Sequence, residues 1–215
     1  MRKTILAATA AIGLASLSVV GLNAQGPAPA SVDPTAAESG SYTADASHSM
    51  VGWQISHLGF NDYYGIFGDV AGTLNLDTAD ITKSMVDVTI PIASVTVPSE
   101  GLKDHFFRPS ADGGDADFWG PDPAPARFVS TAVHSTGDNT AHIMGNLTMN
   151  GETAPVTIEA ELVGMGANPM SQKKTLGFHG RAMIKRSDYG INFGIPFGIP
   201  DEVPLMITVA FEKDA

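Results

Sequence analysis

The chain has 215 residues, no cysteine, 12 Lys+Arg against 23 Asp+Glu, and a formal charge of −11 at pH 7. Such an acidic surface repels phosphate backbones and anionic headgroups, which removes nucleic-acid binding and standing membrane adsorption from the candidate functions. Without Cys there is no disulfide, no thiol chemistry and no acceptor for an N-terminal lipid, so the fold must stand on its core alone.

Arg2 and Lys3 precede an uncharged stretch from Ile5 to Val20, and Gly21-Leu22-Asn23-Ala24 supplies a small residue at a cleavage position. This is the layout of a secretory signal peptide over residues 1–24, and a stretch so rich in Ala, Ser and Gly is a poor membrane span. Cleavage near Ala24 takes Arg2 and Lys3 away and the charge from −11 to −13. The expected product is a periplasmic protein with no stable membrane insertion. Residues 25–40 contain three prolines and no periodicity, and read as a flexible leader. Residues 41–215 are then one domain.

From Ser49 the apolar Val51, Trp53 and Ile55 alternate with Gly52, Gln54 and Ser56, a half-buried strand bracketed by His48 and His57. The same alternation returns in Val70, Leu74 and Leu76, in Val86, Val88, Ile90 and Ile92, in Val156, Ile158, Ala160 and Leu162, and in Leu205, Ile207, Val209 and Phe211. Asn150-Gly151 marks a tight hairpin because both residues tolerate positive φ. After Pro98, Leu102 and Phe106 sit four apart, which predicts a short amphipathic helix over 99–107. The segment behind it, to Ala126, is rich in Pro and Asp and reads as a surface loop, a lid or an insertion. About eight strands at short spacing predict an all-β antiparallel barrel, or a sandwich, with one short helix.

Catalytic and metal signals are weak. None of the six histidines lies within four residues of another, so a metal site would need ligands converging from several strands. No G-x-S-x-G elbow is present, and Ser49 beside His48 would face the opposite side of a strand. Asp112, Asp115, Asp117 and Asp122 do not follow the calcium-loop pattern. The productive set is apolar: Trp53, Phe60, Phe67, Phe128, Phe178, Phe193, Met144, Met149 and Met183 are spread over most predicted strands. They either fill the barrel or line it, and eight strands is the size at which both outcomes occur.

Several segments taken in order resemble the YceI-like periplasmic proteins, a family described as polyisoprenoid- or lipid-binding lipocalin-like barrels. They are Tyr42-Thr43-Ala44-Asp45 with His48-Ser49, Ser56-His57, Gly65-Ile66-Phe67-Gly68, Gly72-Thr73-Leu74, Ile92-Ala93-Ser94-Val95, Lys103-Asp104-His105-Phe106, Phe128-Val129-Ser130, Gly145 to Gly151, and Arg186-Ser187-Asp188-Tyr189-Gly190. The resemblance implies a non-enzymatic carrier without a cofactor, holding an isoprenoid or fatty-acyl lipid, with homodimerisation left open. It places Trp53, Ile55 and Phe67 in the pocket wall and His57 at the mouth; with the apolar set this gives Trp53, Ile55, His57, Phe60, Phe67, Phe128, Met144, Phe178 and Met183 as the expected ligand-binding residues. Arg186 and Asp188 are expected to pair in a turn. Two alternatives stay open: a quinone-related redox accessory, and a filled barrel serving as a stress-related interaction module.

Overall fold

The computed structural model describes Ala28 and residues 30–215. The expected export signal and the first leader residues lie outside the described residues. Ten strands form: β1 Gly40–Ala44, β2 Met50–His57, β3 Asn61–Phe67, β4 Ala71–Leu76, β5 Met85–Ile90, β6 Ala126–Ser135, β7 Thr140–Met149, β8 Glu152–Ala167, β9 Lys174–Lys185 and β10 Glu202–Lys213. Among the described residues one α-helix, α1, spans Glu100–Phe107.

Ten strands occupy eight barrel positions. β1 and β2 both pair antiparallel with β10, through Ala44↔Phe211 and Trp53↔Leu205. β4 and β3 run beside them, through Tyr42↔Leu74 and Val51↔Phe67. Each couple is therefore one long strand broken by a turn. The sheet continues from β5 to β10 in chain order and closes where β10 meets β1. The architecture is the closed antiparallel eight-stranded barrel with one helix that the alternation predicts, and the sandwich alternative falls.

The break between β1 and β2 follows from its sequence. Asp45 caps a single turn of 3₁₀-helix, Ala46–His48, by accepting from Ser47 N at 3.1 Å, and its other oxygen meets His48 Nδ1 at 2.6 Å. Ser49 is buried, and its hydroxyl accepts from Ala210 N at 3.2 Å, replacing a ladder bond lost at the break. His48 and Ser49 thus serve separate structural purposes. The Asn150-Gly151 turn has φ of 55° and 82°, the left-handed pair a two-residue hairpin needs. Asn150 also donates to Tyr189 O at 3.0 Å, tying that hairpin to the loop after β9.

The long connection between β5 and β6 closes one end. Ser99 caps α1 by accepting from Leu102 N at 3.2 Å, and Phe106 turns inward. The segment predicted as a surface loop folds back here: Trp119 N and Gly120 N both donate to Phe106 O, at 3.2 and 3.1 Å. This brings Phe118 and Trp119 onto Phe106 with ring centroids 4.8 and 5.1 Å away. Phe67 and Trp53 extend the cluster, and the Trp53 indole lies flat on Gly65, where any Cβ would come within 2.3 Å of the ring. On the far side of β3 only Thr96 bridges to Ile66 among the described residues, so α1 and the aromatic pair cover that seam. His105 Nε2 and Arg108 Nη2 reach Asp117 Oδ2 at 2.7 and 3.0 Å and fasten loop to helix.

Arg186 does not pair with Asp188 as expected. Its buried guanidinium donates to the backbone carbonyls of Pro200, Ile191, Phe193 and Ile199 at 2.6–3.2 Å, holding the 191–201 loop against the same end. Asp201 accepts instead from Ser187 N and Oγ at 2.9 and 2.8 Å. Burial lowers the Arg186 pKa, with Asp201 opposing that shift.

Candidate functional site

The barrel is not filled. A cavity of about 390 Å³ runs along its axis, within the range of small-molecule pockets. Its wall consists of the inward faces of the strands, with Leu74 from β4, Val86 and Val88 from β5, Ile143 and Leu147 from β7, Ile158 and Leu162 from β8, and Leu205 and Ile207 from β10. On β9 the lining runs from Leu176 to Ile184, eight residue steps or about 27 Å along the strand. Val86, Val88, Ile143, Ile158, Phe178, Leu205 and Ile207 face inward yet are only half-buried, because they border empty space instead of other side chains. In a packed core, positions of this kind would be excluded from solvent.

The two ends of the cavity differ. Towards α1 the lining residues Phe67, Val70, Ile90, Ile92, Ala126 and Met149 are all buried, backed by the aromatic plug. At the other end the lining residues Thr78, Ser135, Gly137 and Asp138 are exposed, so the cavity opens there. Part of the expected leader frames this portal. Ser31 forms an isolated antiparallel bridge with Met165, with bonds of 2.9 and 2.8 Å, and Asp33 caps the short 3₁₀ turn Pro34–Ala36. Pro34 and Ala37 line the cavity. Glu38 pairs with Lys174 and with Lys213, the latter at 2.7 Å, and Tyr42 donates to its carbonyl. From Ser31 onward the segment is a strap beside the portal.

The expected ligand-binding residues divide into three groups. Phe67, Phe128 and Phe178 line the cavity; the Phe128 ring lies over Gly145, where a Cβ would meet it at 2.4 Å. Trp53 and Ile55 point inward but belong to the plugged end and pack in the core cluster rather than against the cavity. The other four are displaced. His57 is the exposed last residue of β2, paired with Asn61, and Phe60 lies in the β2–β3 turn beyond it, 86% exposed. Met183 is 53% exposed on the outer face of β9, and Met144 sits at an outward position of β7, because inward Ala182 and Ile184, and Ile143 and Gly145, flank them. Among the described residues no group of three or more His, Asp or Glu is placed to hold a metal ion.

A closed eight-stranded barrel around an unfilled, almost wholly apolar cavity, plugged at one end and open at the other, is a lipocalin-like binding barrel. The chain belongs to the YceI-like domain family, which matches residues 42–211. A UPF0312 protein of Pseudomonas putida strain F1 is 37% identical over 147 residues, covering 68% of this chain and 73% of that protein. Protein YceI of Escherichia coli O17:K52:H18 is 36% identical over 166 residues, covering 77% and 82%. Two solved structures share the fold. Burkholderia cenocepacia BcnA superposes with a TM-score of 0.61 at 22% identity, over 78% of this chain and 98% of its own. A polyisoprenoid binding domain from Saccharophagus degradans gives 0.55 at 15%, over 80% and 98%.

Proposed function

We propose that the protein binds, and carries or sequesters, an amphipathic lipid with a long apolar tail of polyisoprenoid or fatty-acyl type, after export to the periplasm. The single observation that carries this reading is the row of inward-facing aliphatic side chains left half-buried around an elongated cavity. Burying a tail there is worth about 0.8 kcal/mol per CH₂ before association and ordering costs are subtracted. A smooth aliphatic wall grades ligands by length and bulk more than by chemistry, which suits a family of related tails. The polyisoprenoid binding domain of Saccharophagus degradans, with the same fold, supports the choice of tail. The filled-barrel reading loses its premise with the cavity present.

The direct test is native mass spectrometry of protein taken from its own host's periplasm, followed by solvent extraction. The expected result is one isoprenoid or fatty-acyl species per chain. An empty chain that also fails to take up labelled isoprenoid and fatty-acyl probes would overturn the reading.

A further inference from the structure

We propose that the portal is a head-group site selective for lipids whose polar end donates hydrogen bonds or carries positive charge, an alcohol or an amine, and that it rejects carboxylate and phosphate heads on the same tail. This rests on the lipid-carrier reading above and adds the chemistry of the head and the end at which it sits.

Among the described residues no Lys or Arg lines the cavity. Its ionisable lining residues are Asp138 and His179, and His179 holds an exposed position on β9 between the inward Phe178 and Gly180. Asp138 is therefore the charge at the portal. Its carboxylate makes no hydrogen bond or ion pair among the described residues. Three side-chain donors beside it are engaged: Ser135 Oγ donates to Gly137 O at 2.9 Å, one N–H of Asn139 Nδ2 donates to Leu162 O at 3.3 Å, and Thr136 Oγ1 donates to Thr140 Oγ1 at 3.0 Å. Left over are the Asp138 carboxylate and the Asn139 side-chain oxygen as acceptors, with the Thr140 hydroxyl and the second Asn139 N–H as neutral donors, so the one formal charge in residues 135–140 is negative.

The surrounding charges point the same way. Lys83 pairs with Asp80 at 3.2 Å, and Lys174 and Lys213 share the single carboxylate of Glu38. Asp33 and Asp77 each use one carboxylate oxygen on backbone N–H groups of their own turns, and among the described residues neither pairs with a cation. The carboxylates of Asp33, Glu38, Asp77, Asp80 and Asp138 outnumber the paired Lys83, Lys174 and Lys213, so an anionic head at this portal meets net negative charge, whereas a hydroxyl or ammonium finds acceptors. The opposite end offers no rival: Trp53 Nε1, Trp119 Nε1 and Tyr189 Oη are buried without partners among the described residues, but all three belong to the packed core of the plugged end and none lines the cavity.

The test is displacement of an uncharged naphthylamine probe from the delipidated protein by a matched series, hexadecylamine, hexadecanol, hexadecanoate and hexadecyl phosphate, below their aggregation concentrations and at low and high salt. The expected order is amine, alcohol, then carboxylate and phosphate, with about tenfold separating the amine from the anions at low salt and less at high salt. Asp138→Asn, an exposed isosteric change, is expected to bring that ratio to about threefold or less, and Asp138→Lys to invert it. Equal affinity across the series, tightest binding by phosphate, or a ranking unmoved at position 138 would overturn the head-group assignment while leaving the carrier reading intact. Failure of every member to displace the probe, or of the probe to bind, would overturn both.

Discussion

At the plugged end of the barrel, rings stand 4.8–6.2 Å apart and a buried arginine clamps four backbone carbonyls. At the portal the wall is made of Pro34, Ala37, Thr78 and Gly137, and the strap beside it bridges β8 through only two backbone bonds. Both ends finish a cylinder of the same strands, but the first is closed by packed area and the second is bordered by small side chains around an opening. The contrast assigns stability to one end and ligand access to the other. Substitutions at the two ends should accordingly separate folding from binding.

The largest expected effect is at the plug. Phe106→Ala removes the ring on which Phe118 and Trp119 close, and is expected to cost about 3–5 kcal/mol in urea unfolding. Arg186→Ala leaves four carbonyls without their donor and is expected to cost about 3 kcal/mol, measured the same way. Both variants, once folded, should still take up a long-chain probe. A loss of binding with no loss of stability would break the division of labour.

In mid-cavity the pattern reverses. Val86→Trp adds bulk where there is empty space, so it is expected to leave the unfolding midpoint unchanged or raised while weakening long-tail binding at least about tenfold, measured by probe titration. Overpacking of a filled core would instead cost about 1–3 kcal/mol, and that outcome would show the interior to be packed.

At the portal the effect should be kinetic. The chain has no cysteine of its own, so Ser31→Cys with Met165→Cys places a single reversible cross-link where strap and β8 already bridge. Oxidation is expected to slow probe exchange severalfold, and reduction to restore it, in stopped-flow traces.

The smallest effect is in acid. The hydrogen bond from His105, and next that from Arg108, holds the Asp117 carboxyl below its ordinary value. A carboxyl depressed in the folded state stabilises fully above its unfolded pKa of about 3.9 and loses that contribution as the pH falls through the folded value. The fastening of loop to α1 should therefore persist through neutral and mildly acidic pH and weaken only below about pH 4. Trp119 fluorescence against pH, in wild type and Asp117→Asn, reads this directly.

Much of this division was legible in the sequence. The inward rows Val86, Val88 and Ile90, Ile158 and Leu162, and Leu205 to Val209 are the alternation itself, and they make the cavity wall. Choosing ligand contacts by size instead of parity is what misplaced Met144 and Met183, since each follows an inward residue by one step and must face out. Asn150-Gly151 and the Ser99 cap announced their turn and helix because both are local chemistry. Asp117-Phe118-Trp119-Gly120 carried no such cue: its fold depends on two backbone bonds to Phe106 O and on rings distant in sequence. The strap was illegible for the same reason, as Ser31 finds its partner at Met165, 134 positions away.

Calorimetric titration of a long-chain isoprenoid alcohol into delipidated protein at several temperatures tests the central claim most directly. An open apolar cavity predicts saturation at one equivalent with a clearly negative heat-capacity change, the mark of buried apolar surface. No saturable heat at any temperature, or binding unchanged by Val86→Trp, would contradict it.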